Sequence, residues 1–122
     1  MTALKLTCED RDGTALVTIA GDLDIYSAPR LREMLLTFTG DGTDPVPLVV
    51  DLDACTFLDA VGAAVLVGAA KRQEARGAQL AVACTAEDVL RVIRTLGLLA
   101  HLRVCGSVDE ALAVVSARTE HS

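Results

Sequence analysis

Carboxylates dominate the side chains of this 122-residue sequence that could do chemistry. Asp51 and Asp53 follow the apolar run Leu48-Val49-Val50, and a carboxylate pair near a strand end can accept a phosphoryl group. That reaction also needs a lysine near the end of the last strand, whereas the lysines are Lys5 and Lys71. Nucleophilic catalysis has no credible set: His101 lies in a short turn before the last strand and His121 in the tail. Ser27, the best-placed serine, is more economically a helix cap. Gly40-Asp41-Gly42 is a helix-to-strand turn without the lysine and helix start of a phosphate loop. The cysteines Cys8, Cys55, Cys84 and Cys105 form no C-x-x-C pair, which signals neither a zinc site nor a redox motif. Each lies in or beside an apolar run and is expected to be a reduced packing residue. Asp59 stands where a strand-and-loop passage meets a helix, so its carboxylate should cap free amides at the positive end of the helix dipole, with partner contact as a further role. Gly62 lets the backbone lie close to the sheet or to another protein. No metal-binding, cofactor-binding or catalytic set emerges.

The bulk properties narrow the class further. Apolar residues make up 52% of the chain and aromatic ones 2%, so the core must be aliphatic and base-stacking platforms are excluded. A net charge of −6 supplies no concentrated positive face for nucleic acid. No apolar run reaches the length of a membrane span, and the start lacks a basic region followed by an apolar one, so a cytoplasmic protein is expected. The length suits one domain over residues 1–122, with an ordered core of about 3–117 and a frayed end from Thr119 to Ser122.

The elements that must position these residues can be read from periodicity. Leu4, Leu6 and Cys8, then Ala15, Val17 and Ile19, alternate with their neighbours on either side of Asp12-Gly13, which predicts a β-hairpin. Ser27 as N-cap, Pro29 in the first turn, and Leu31, Met34, Leu35 and Phe38 at helical spacing predict a helix ending at Gly40. Residues 48–52 read as a central strand buried on both faces. Residues 61–75 read as a helix of small side chains, with Val61, Ala64, Val65, Gly68 and Ala69 on one face. A strand at 80–84 follows, then a helix opened by a box at Thr85–Asp88 and striped by Val89, Ile93 and Leu96. A strand at 102–105 and a helix opened by a second box at Ser107–Glu110 complete the chain. The order is ββαβαβαβα, a mixed α/β sheet with an antiparallel hairpin and then parallel strands. A phosphoaccepting receiver domain would instead start β-α.

Phe57-Leu58-Asp59-Ala60-Val61-Gly62 resembles the Phe-x-Asp-Ser-Ser-Gly signature of STAS-domain anti-sigma factor antagonists, with both serines replaced. Gly21-Asp22-Leu23-Asp24 with Ser27-Ala28-Pro29 is similar to the family's Gly-Glu-Leu-Asp segment and the helix start after it. Val49-Val50-Asp51-Leu52 is similar to its central strand, and Gly97-Leu98-Leu99 with Ser107 to Leu112 to its ending.

The resemblance implies a protein that works by binding an anti-sigma factor, an ATP-binding serine kinase of the histidine-kinase-like fold. It implies that the segment matching Asp24 lies near the motif, and that both contact the partner. Asp22, Asp24, Ser27, Asp59, Ala60, Val61 and Gly62 are therefore the expected partner-binding residues. In the family the second serine is phosphorylated, adding about −1.5 to −2 charges that disfavour docking beside an aspartate. Val61 occupies that position and accepts no phosphate. Thr56, before Phe57, is expected to be buried or in a turn rather than to serve as a substitute acceptor. The alternatives are an accessory subunit on an ABC-transporter ATPase and a diverged STAS signalling adaptor. Nucleic acid binding and membrane insertion are not expected, and a homodimer is left open.

Overall fold

The computed structural model describes residues 2–119, with side chains through Ser116. His121 and the end expected to fray beyond Thr119 lie outside the described residues.

Two strands open the chain, β1 (Lys5–Arg11) and β2 (Thr14–Leu23), joined at Asp12-Gly13. Both turn residues have positive φ, 53° and 90°, the pair a type I′ turn requires and the reason glycine suits the second position. Helix α1 (Ala28–Thr39) follows, then β3 (Leu48–Asp51), β4 (Cys55–Leu58), α2 (Ala60–Ala75), β5 (Leu80–Ala83), α3 (Glu87–Thr95), β6 (Val104–Cys105) and α4 (Val108–Thr119). The strands lie in the order β1-β2-β3-β5-β6, antiparallel between β1 and β2 and parallel elsewhere.

β4 is the element that periodicity did not reveal, so the order is ββαββαβαβα. It is four residues long and pairs with the far end of β2, where Asp22 faces Phe57 after a register shift at Gly21. β2 thus serves two neighbours in succession, β3 with its first half and β4 with its last residues.

Alternation along the strands builds two cores. Val17, Ile19, Val50 and Val82 join Leu31, Leu35, Leu66 and Ile93 on the face covered by α1, α2 and α3. Leu16, Val49, Ala81 and Ala83 join Ala111 and Val115 beneath α4. β3 is accordingly buried on both faces, as its continuous apolar run predicts.

The orientation of α2 differs from expectation. Its buried stripe is Gly62, Ala63, Leu66, Ala69, Ala70 and Gln73, so Val61 and Ala64 face outward. A helix apolar nearly all round carries no periodic signal to orient it, and close packing at Gly62 decides. A Cβ there would sit 2.7 Å from the Leu23 carbonyl oxygen and 2.8 Å from Leu23 Cγ. At the other end, Arg76 donates to the carbonyls of Phe38 and Thr43, and Arg72 to the Thr39 hydroxyl, which ties α2 to the end of α1.

Two caps depart from the sequence reading. Thr85 does not cap α3, whose N-cap is Ala86; its amide and hydroxyl instead donate to Asp53, at 2.6 and 3.0 Å. Ser107 does accept from the Glu110 amide, while the Glu110 carboxylate accepts from Gly106. Leu96, expected on the buried stripe of α3, is exposed. All four cysteines are free, but Cys8 is exposed because β1 turns most of its length to solvent. It is therefore not the packing residue expected.

Candidate protein-docking site

The turn between β2 and α1 and the start of α2 meet at Asp59. One carboxylate oxygen accepts from the Gly62 amide at 2.9 Å, the N-cap geometry its position predicts, and the other accepts from the Ile25 amide at 3.1 Å. The Asp59 amide in turn donates to the Leu23 carbonyl at 3.3 Å. One side chain thus fixes residues far apart in sequence relative to each other.

Within the turn Asp24 organises the backbone that leads into α1. Asp24 Oδ1 accepts from the amides of Tyr26 and Ser27, at 2.9 and 3.0 Å. Ser27 occupies the N-cap position of α1 but makes no capping bond with its side chain. Its hydroxyl points back into the turn, accepting from the Asp24 amide and donating to the Asp22 carbonyl at 2.8 Å. The Asp24-x-x-Ser27 spacing lets these two residues satisfy each other, so Ser27 shapes the turn that enters the helix.

Asp22 ties β4 and the N-terminal segment to the same region. Its carboxylate accepts from the Thr56 hydroxyl at 2.7 Å and the Thr2 amide at 3.0 Å. These bonds, the Thr56 hydroxyl foremost, hold the Asp22 carboxyl below its ordinary value. Thr56 is thus exposed and engaged on β4, neither buried nor in a turn as expected.

Of the expected partner-binding residues, the structure gathers Asp22, Asp24, Ser27 and Asp59, half-buried, beside the exposed Ala60 and Val61. Val61 is 42% exposed. Gly62 is buried against Leu23 and Leu58, which corrects its assignment as a contact. Three exposed residues within the segments 22–27 and 57–68 expected to form the docking face, though not singled out as contacts, lie here: Ile25 and Tyr26 in the turn, 57% and 83% exposed, and Phe57 on β4, 49% exposed. The signal was available, because an apolar pair between Asp24 and Ser27 has no periodic partner that would bury it. From Ala60 a groove of about 430 Å³ runs between α2 and the segment after α3, lined by Ala63, Ala64, Val67, Lys71, Leu96 and Leu98.

Asp51 and Asp53 lie apart from this surface in their bonding. Asp51 accepts from the Asp53 amide at 2.9 Å, and Asp53 holds Thr85, so both close loops at the strand ends. Burial pushes the Cys84 thiol up to about 11. Among the described residues no helix is long and apolar enough to cross a membrane.

Comparison with known proteins converges on one family. The STAS domain pattern matches residues 5–111. The anti-sigma-B factor antagonist of Bacillus subtilis (strain 168) is 35% identical over 95 residues, covering 78% of this chain and 84% of that one. The anti-sigma-F factor antagonist RsfB of Mycobacterium tuberculosis is 28% identical over 113 residues, covering 93% and 90%. A crystal structure of an anti-sigma factor antagonist from Mycobacterium paratuberculosis aligns with a TM-score of 0.83 at 26% identity, over 93% of this chain and 95% of that one. With sequence, strand order and the Asp59 frame in agreement, the chain belongs to the STAS domain family, with anti-sigma factor antagonists as its relatives.

Proposed function

We propose that this chain is a single cytoplasmic STAS domain that acts as an anti-sigma factor antagonist. It works by binding rather than catalysis, docking through residues 22–27 and the first turn of α2 onto an anti-sigma factor of the histidine-kinase-like ATPase fold. The observation that carries the reading is the exposure of Val61 beside an intact Asp59 cap. The motif's frame is kept and its acceptor hydroxyl is gone, so docking is not toggled by phosphate at this position.

The chemistry of the surface suits a protein partner. Ile25, Tyr26 and Val61 offer apolar contact. Asp22, Asp24 and Asp59 are satisfied by amides and hydroxyls, and none has an ion-pair partner among the described residues. An apolar centre with a polar rim is the usual anatomy of an interface.

The test is calorimetric titration of the purified chain against a purified kinase-fold anti-sigma factor from the same organism. Val61→Asp should weaken binding about a hundredfold, equivalent to about 3 kcal/mol. The wild-type mass should be unchanged after incubation with that kinase and ATP. An unaltered affinity removes this surface from the reading, and a gain of one phosphate removes the unswitched antagonist.

A further inference from the structure

β1 is the outer strand of the sheet, with β2 on one side and, among the described residues, no strand on the other. The hairpin determines which of its backbone groups face outward. Arg11 and Thr14 flank the two-residue type I′ turn and form its hydrogen-bonded closing pair. Bonded and non-bonded pairs alternate along an antiparallel ladder, so Leu6, Cys8 and Asp10 direct their N–H and C=O groups away from β2. β2 agrees, because Ala15, opposite Asp10, donates its N–H to Pro47 on the β3 side at 2.9 Å. The Leu4 carbonyl is occupied by Arg30 Nη1 at 3.1 Å, so the free stretch starts at Leu6.

We propose that two copies of this chain pair through β1, antiparallel about a two-fold axis at Thr7. The choice of a second copy as occupant rests on charge complementarity within the strand. Lys5, Glu9, Asp10 and Arg11 are all exposed, and exposed edges with such charges usually repel a neighbouring strand. In one register they attract. Opposing Leu6 with Cys8 of the second copy sets Lys5 against Glu9 twice, sets Thr7 against Thr7, and brings no like charges face to face.

The other symmetric registers that oppose outward-facing residues fare worse. Centring the pair on Cys8 sets Lys5 against Arg11. Centring it on Glu9 or Asp10 opposes two carboxylates. Centring it on Leu6 loses the Lys5–Glu9 pairs. A groove lined by Cys8, Ala15, Phe38 and Val46, with Glu9 and Asp10 of the strand also at it, lies beside this edge.

Sedimentation velocity over a range of concentrations should show a reversible dimer. Lys5→Glu and Glu9→Lys should each weaken it about tenfold, and the two together should restore it. Thr7→Cys in a Cys8→Ala background places thiols at a non-bonded pair, where Cα atoms lie about 4.5 Å apart, within disulfide reach. Mild oxidation should then link that variant more readily than it links the wild type through Cys8. A wild-type chain that stays monomeric at millimolar concentration overturns the proposal. So does a double charge swap no tighter than the single variants, or linking that favours Cys8 over Thr7→Cys.

Discussion

Replacing Asp59 with alanine should loosen two segments at once, because its two oxygens serve different amides. The bond to Gly62 at 2.9 Å caps α2, and losing a cap costs about 1 kcal/mol. The bond to Ile25 at 3.1 Å holds the turn before α1. Ile25 is exposed, so water can take over part of that bond, and its loss falls below the roughly 1.5–3 kcal/mol of a bond to a charged group, at about 1 kcal/mol. The expected total is about 2 kcal/mol. In a chain of this size each kcal/mol moves Tm by roughly 4 °C, so Tm should fall by about 8 °C. Asp59→Asn separates the two bonds: the carboxamide keeps one acceptor and turns an NH₂ towards the other amide, for a loss of about 1 kcal/mol. Thermal unfolding gives the totals, and native-state hydrogen exchange assigns them. Alanine should speed exchange at both Gly62 and Ile25, and asparagine at only one. If alanine accelerates Gly62 while leaving Ile25 protected, the carboxylate is not the tie between the segments and this account of the site is wrong.

Gly62→Ala should destabilise the fold by about 2 kcal/mol, since the new Cβ would press on the Leu23 backbone; denaturant titration measures this, and a neutral result would mean that α2 can shift outward at no cost. At pH 8 a chromogenic disulfide reagent should modify Cys8 quickly and Cys55, Cys84 and Cys105 only on unfolding, because those three are buried. Burial favours the neutral Cys84 thiol in the folded state. Its contribution is therefore intact below the unfolded value near 9 and lost as pH rises towards about 11, a decline that Cys84→Ala should reduce in alkaline denaturation curves. The depressed Asp22 carboxyl works in the opposite sense. Its contribution is present above the ordinary carboxylate value of about 3.9 and lost as pH falls through the lower folded value, so Asp22→Asn should flatten the loss of stability below about pH 4.

How far the sequence discloses the structure depends on whether a residue's role is local. The hairpin, the double-faced burial of β3, the Asp59 cap and the Ser107 cap all follow from short-range rules, and the structure has them. β4 was hidden because its four residues carry no alternation, and only the free length of β2 beyond β3 explains why they pair. The rotation of α2 was hidden because every face of that helix is apolar or small. Ser27 and Thr85 were read as caps from their spacing, yet in each case a neighbouring aspartate offers a better partner. Asp24 closes the turn around Ser27, and Asp53 reaches across from the end of β3 to take Thr85. A carboxylate bonds more strongly than a neutral acceptor, so Thr85 is drawn to Asp53 rather than to the helix end, while the Ser27 hydroxyl is taken up by the Asp24 amide and the Asp22 carbonyl.

The same bonds explain how the motif tolerates valine at position 61. Every hydrogen bond that shapes the docking surface belongs to Asp22, Asp24, Ser27, Thr56, Asp59 or a backbone amide, and none needs a hydroxyl on residue 61. Its side chain stands on the outer face of the first helical turn, 42% exposed, so changing it alters what a partner meets without altering what holds the turn in place. On the proposed function, recognition and switching are therefore separable: the architecture is fixed by carboxylates that face inward to amides and hydroxyls, and a switch would have to be added at an outward position beside them, such as Ala60 or Val61. Serine at position 61 would bring a modifiable group, and valine brings apolar area to a surface already offering Ile25 and Tyr26. The substitution leaves the fold's own bonds untouched and, on the proposed function, exchanges a modifiable contact for an apolar one.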